Sequence, residues 1–132
     1  MKLTPEQIDI AVGWWKDALT NPKYDSGESN STASRLAALL HAANVTHEKV
    51  EKFCVLLRDW LTERSAADAA PSTLHVDYDP MFEFGDIARA AQIEGKCFPW
   101  KTTMYFHDNG LVSVRCGYGA SEQPVSVVQE GD

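Results

Sequence analysis

The stretch Lys101–Cys116 reads KTTMYFHDNGLVSVRC, and the pairing of its two halves decides which side chains face a core. A two-residue Asn109-Gly110 turn would set Phe106 opposite Ser113 and Met104 opposite Arg115, mixing polar and apolar groups in every pair. A three-residue Asp108-Asn109-Gly110 loop, with Gly110 left-handed, instead gathers Thr102, Met104, Phe106, Val112, Val114 and Cys116 on one face. One register makes an apolar face and the other does not, so the second is expected. The segment is thus an antiparallel hairpin with one side for a core.

Upstream, the period of two continues: Leu74, Val76 and Tyr78 point one way, and His75, Asp77 and Asp79 the other, as in a half-buried strand. Asp79-Pro80 then opens a helix whose inner face is Met81, Phe84, Ile87, Ala88 and Ala91, with Gly95 as its stop. Downstream, Gly117-Tyr118-Gly119-Ala120 breaks the hairpin, and Val125 to Val128 add a last strand after Pro124.

The first half has the helical period. Thr4, Pro5 and Gln7 make an N-cap, a first helical position and a capping box, and Leu3 staples onto Ile8. Ile8, Ala11, Val12, Trp15 and Leu19 form the inner stripe, while Ile10 and Trp14 point away from it. Asn21-Pro22 ends this helix, and the polar run from Lys23 to Asn30 is a loop. A second helix from Ser31 to Asn44 carries Leu36, Leu39, Leu40 and Ala43 on one face. A third, capped by Thr46 and stapled by Val45 onto Val50, aligns Val50, Phe53, Cys54, Leu57 and Leu61. The fold class is therefore α+β: an N-terminal three-helix unit followed by a strand, a helix and an antiparallel β-hairpin or small sheet. A single domain is expected over 1–132, with a helical half 1–64, a small-residue connector 65–72 and an α+β half 73–132.

The 132 residues are 44% hydrophobic and 23% charged, which fits a globular chain. The sequence has neither a signal-like opening nor an apolar run of membrane-spanning length, and its three cysteines, Cys54, Cys97 and Cys116, form no CxxC pair. A reducing cytoplasm suits them. Cys54 and Cys116 read as core residues and Cys97 as the exposed one. A net charge of -7 disfavours direct binding to nucleic acid or anionic lipid. Between Arg64 and Arg89 there is no Lys or Arg, yet Asp68, Asp77, Asp79, Glu83 and Asp86 fall there.

No phosphate-binding glycine loop, nucleophile elbow or HExxH pair occurs, so no catalytic residue, metal ligand or cofactor is assigned. One rival reading is a small metal-dependent hydrolase, since His75, Asp77 and Asp79 share a strand face that His107 can approach from the hairpin. The bland account of the same alternation is a solvated sheet face. Another rival is a homodimeric structural protein that buries Trp14 and Tyr105 between subunits, for both rings leave the inner stripes.

Phe98-Pro99-Trp100-Lys101-Thr102-Thr103-Met104 leads into the hairpin, Gly117-Tyr118-Gly119-Ala120 follows it, and the second half of this small chain is acidic. In these features the chain resembles small phage or prophage accessory proteins of the anti-CRISPR kind. The resemblance implies a protein-binding inhibitor, working in the cytoplasm of a bacterial host, that occupies a basic surface which a nucleic-acid-handling complex uses for DNA or RNA. Asp77, Asp79, Glu83 and Asp86, with Trp14 and Tyr105, are the expected partner-binding residues; neither direct nucleic-acid binding nor membrane attachment is expected.

Overall fold

The computed structural model describes residues 1–21 and 32–126, with side chains from residue 36 in the second stretch. The loop expected over 23–30, the helix stop at Pro22, the helix start at Ser31 and the strand ending at Val127-Val128 lie outside the described residues.

The hairpin takes the register that its pattern favours. Strands β2 (Thr102–Phe106) and β3 (Val112–Cys116) pair antiparallel, with Phe106 opposite Val112, Met104 opposite Val114 and Thr102 opposite Cys116. His107 N–H donates to Leu111 O at 3.0 Å across a three-residue loop, in which Gly110 has φ 88°. That backbone is strained for any residue with a Cβ. The inner row is buried except for Cys116, which corrects its expected place: Gly117, at φ 99°, turns the chain away just beyond it.

Strands β1 (Thr73–Val76) and β4 (Gln123–Val125) complete an antiparallel sheet in the order β1-β2-β3-β4. Leu74 and Val76 face inward as expected, but the alternation ends there and Tyr78 is 56% exposed. The chain folds back at once: Asp77 N–H reaches Asp79 O at 3.3 Å and Met81 N–H reaches His75 O at 3.0 Å. This return blunts the β1 edge. On the other edge, Pro124 lies inside β4 opposite Ser113, and an edge strand tolerates proline because its missing N–H can face away from the ladder.

Helix α1 (Pro5–Thr20) has the full capping box, with both Thr4 and Gln7 reciprocally bonded. Gln7 does more, since its amide Nε2 donates to His107 O at 2.9 Å and Leu111 O at 3.2 Å, tying the helix start to the hairpin loop. Ile10 is buried as well as the expected stripe, because that side of α1 meets the chain around Val125. Helix α3 (His47–Ala66) is capped by Thr46 and buries Val50, Phe53, Leu57 and Leu61, with Cys54 half-buried. Helix α2 (Thr32–Asn44) keeps the expected extent and shared face, but that face is open to solvent: Leu36, Leu39 and Leu40 are exposed.

Helix α4 (Phe82–Ala90) buries Phe84, Ile87 and Ala88, followed by Ala91, while Met81 stays outside at the cap. It ends at Gln92, not Gly95. Gln92 is left-handed at φ 62°, its N–H bonds Arg89 O, and Ile93 N–H bonds Ala88 O, a Schellman closure made without glycine. Gly95 begins a short 3-10 turn ending in Cys97, which is buried instead of exposed. In the core, Trp15, Phe53, Phe84 and Phe98 pack ring against ring with centroids 4.9 to 6.3 Å apart.

Two stability measurements test this layout. Phe106→Ala should cost about 3–5 kcal/mol in chemical denaturation, the price of a deleted core ring. Gln7→Ala should cost about 1–3 kcal/mol, because two loop carbonyls lose their donor; a change within a few tenths would show that water replaces the amide.

Candidate functional site: an aromatic and acidic end of the sheet

Antiparallel order brings three chain segments to one end of the sheet. Val76 lies opposite Thr102, and Thr102 opposite Cys116, so the residues after β1, before β2 and after β3 are neighbours. Those residues are aromatic: Tyr78, Trp100 and Tyr118, exposed by 56%, 59% and 51%. Tyr78 and Trp100 meet edge to face with centroids 5.6 Å apart. Lys101 Nζ lies 5.8 Å from the Tyr78 ring centre and 5.5 Å from that of Tyr118, a bridging cation over two π faces. The Tyr118 hydroxyl donates to the Asp77 carboxylate, and His75 stacks on Tyr118 at 6.4 Å.

Backbone bonds hold the same end together. Lys101 N–H donates to Asp77 O at 2.7 Å, and Gly117 N–H to Lys101 O at 2.8 Å, so the three segments are laced before any side chain acts. Lys101 adopts φ 55°. Phe82, four residues after Tyr78, is 85% exposed and held at φ 57°. A bulky aromatic residue in left-handed backbone costs about 1–2 kcal/mol, and here it gains no burial in return.

The acidic residues divide. Asp77 belongs to the aromatic cluster, and its charge holds the Tyr118 hydroxyl above its ordinary pKa, first through the hydrogen bond. Asp79 is exposed, with its carboxylate beside Gly95, where a Cβ would collide with it. Glu83 is engaged within the chain: it accepts from Trp60 Nε1 at 3.0 Å and Arg64 Nη2 at 2.6 Å. Those bonds, led by Arg64, hold its carboxyl below the usual range. Asp86 pairs with Arg89. Trp14 and Tyr105 lie apart from this end. Trp14 is half-buried edge-on to Trp15 at 4.7 Å, in a shallow cleft shared with Val125. Tyr105 is half-buried on the outer sheet face, under Arg115 at 5.9 Å.

The residues of the hydrolase reading do not come together as a ligand set. Among the described residues no three His, Cys, Asp or Glu side chains are grouped to hold a metal ion. His75 turns to Thr103 Oγ1 at 2.6 Å, while His107, near the hairpin loop, turns to Ser113 Oγ at 2.8 Å. Ser113 Oγ also bonds Glu122 at 2.5 Å, and His107 Nε2 is 3.4 Å from the same carboxylate. This trio is not a catalytic triad, because the carboxylate sits on the serine and on the same ring nitrogen, where it cannot orient the imidazole from behind. Its effect is to tie the chain entering β4 to β3.

Sequence reasoning missed Phe82 and placed Tyr78 inside. It quoted Trp100, Lys101 and Tyr118 without giving them a role. The available signal was position, since each exposed ring stands within two residues of a proline or glycine, at a strand end or helix start where alternation no longer dictates burial. No protein-family model matches the chain, and no curated protein matches it in sequence.

Phe82→Gly should raise stability by about 1 kcal/mol, since only the strain is lost; a fall in melting temperature would show that the ring is held by contacts. Glu83 has its carboxyl lowered, so its contribution is present above pH 4.5 and is lost as pH falls through the depressed value. Glu83→Gln should therefore flatten the acid limb of the stability curve while leaving its neutral shape unchanged; an unaltered acid limb would refute the pairing.

Proposed function

We propose that this chain is a protein-binding inhibitor of the anti-CRISPR type, acting in the bacterial cytoplasm by covering a basic surface that a defence complex uses for nucleic acid. The observation that carries the proposal is the exposed cluster of Tyr78, Trp100 and Tyr118, with Phe82 nearby, in a stretch where acids outnumber bases. Rigid aromatic rings at a laced strand end are the side chains that dominate protein interfaces, since they bury large area at little entropic cost. Asp77 and Asp79 stand within that surface. Glu83 and Asp86 are paired at short range but still add to the net negative field that steers a cationic partner. A chain of net charge -7 has little means of holding nucleic acid itself, so competition for a basic protein surface is the consistent mode.

The test is binding of the full chain to purified CRISPR effector complexes of different types, each with and without nucleic acid. One complex should retain the chain and lose it when nucleic acid is bound first. Trp100→Ala should weaken that binding by about 2 kcal/mol, mainly through faster dissociation. Asp77→Lys combined with Asp79→Lys should slow association and reduce its salt dependence. Glu83 is left intact, because reversing it would break the tie to Trp60 and Arg64. If no complex binds, or if nucleic acid does not compete, the proposal is wrong.

A further inference from the structure

The hairpin loop closes the end of the sheet opposite the aromatic cluster, and its tip carries the dipeptide Asn109-Gly110. A side-chain amide followed by glycine is open to attack by the next backbone nitrogen, because glycine has no Cβ to crowd that nitrogen. The other asparagines of the chain are followed by less reactive residues: Asn21 by Pro22, which has no N–H, Asn44 by branched Val45, and Asn30 by Ser31. The loop adds its own geometry. Asn109 is exposed, and its Oδ1 accepts from Leu111 N–H at 3.1 Å, which folds the side-chain carbonyl back toward the Gly110 peptide. When the Gly110 nitrogen attacks Cγ, negative charge collects on that same oxygen, where the Leu111 N–H already stands to stabilise it. Gly110 N–H donates to His107 O at 3.1 Å and must leave that bond first, so the reaction passes through a local opening of the loop.

We propose that Asn109 is a site of spontaneous deamidation, and that its product loosens the join between α1 and the hairpin. The Gly110 nitrogen gives its proton to hydroxide and bonds to Asn109 Cγ. The bond from Cγ to the amide nitrogen breaks, and ammonia leaves after taking a proton from water. Water then opens the cyclic imide: opening at Cγ gives aspartate, and opening at the main-chain carbonyl gives isoaspartate, whose backbone runs through Cβ and Cγ. The second product lengthens the main chain inside a three-residue loop. Such a loop has little slack, since His107 N–H closes it on Leu111 O at 3.0 Å and the strand register depends on that closure. Gln7 Nε2 donates to carbonyls at both ends of the same loop, His107 O and Leu111 O, and the Gln7 side chain is buried. Displaced carbonyls would leave that buried donor unsatisfied. Either product also adds negative charge to a chain already at -7. This site lies apart from the aromatic end and does not depend on the function assigned to it.

Incubation of the folded full chain at mildly alkaline pH, followed by peptide mapping and labelling with an isoaspartyl methyltransferase, reads the proposal directly. The peptide that contains Asn109 should lose its amide while those that contain Asn21 and Asn44 keep theirs, and Asn109→Gln should abolish the labelling. The loss should quicken as pH rises, because the attacking nitrogen must shed its proton. Separated from unreacted chain by anion exchange, the product, in which isoaspartate predominates, should melt at a lower temperature than the untreated protein. Asn109→Asp carries the same charge without the longer backbone and should melt close to the untreated protein. An amide at position 109 that survives in the folded chain, or is lost only in denaturant, would overturn the proposal, as would earlier loss at another asparagine. A product that melts with the untreated protein would overturn the loosening of the α1 join. So would an Asn109→Asp variant that melts as low as the product, for charge alone would then account for the fall.

Discussion

Four aromatic rings hold this fold to one arrangement. Trp15 comes from α1, Phe53 from α3, Phe84 from α4 and Phe98 from the link that leads into β2, and their centroids lie 4.9 to 6.3 Å apart. Each ring is essentially inaccessible to water. Tilted and edge-on contacts of this kind depend on direction as well as area, so moving any one helix spoils several pairs at once. The link matters most for the surface. Because Phe98 is locked into the cluster, Trp100 and Lys101 must emerge where they do. Because Phe84 is locked, Phe82 stands two residues away at the edge of the same helix.

The exposed end of the sheet is therefore a product of the interior. Val76, Thr102 and the approach to Gly117 are fixed by strand pairing, and the bonds from Lys101 N–H to Asp77 O and from Gly117 N–H to Lys101 O join the three segments beyond the ladder. Rings mounted on such a frame lose little freedom when a partner covers them, which is the general route from preorganisation to affinity. Phe82 shows the opposing tendency. Its left-handed backbone is a local cost that the remaining structure is stable enough to carry.

Much of this architecture was legible in the sequence because two periods were clean. The hairpin register followed from the single pairing that gathered apolar residues on one face, and α1 and α3 followed from capping residues that agreed with their stripes. The errors fell where a local rule met a competing one. Tyr78 continued the alternation of β1 on paper, but the return through Pro80 ended the strand first. Gly95 looked like a helix stop, yet Gln92 accepted the left-handed position three residues earlier. The leucines of α2 had the right spacing for a core and no core to enter, a fact that spacing alone does not carry. Glu83 and Asp86 read as partner-binding acids, and their neighbours within the chain, Arg64, Trp60 and Arg89, reach them only through helix packing or a local turn. Alternation likewise put Cys116 in the core, whereas the turn at Gly117 leaves it outside.

The tryptophans are graded by their contact with solvent. Trp15 is wholly enclosed, and among the described residues its indole N–H meets no hydrogen-bond acceptor. Trp14 and Trp60 are half covered, and Trp100 is 59% exposed. Indole emission shifts to longer wavelength as its surroundings become more polar, so the intrinsic fluorescence of this molecule is layered by depth. The blue edge of the spectrum reports the ring cluster, and the red edge, open to collisional quenchers, reports the surface beside Tyr78. Loosening of the interior and occupation of the aromatic end are thereby separable in a single unlabelled sample.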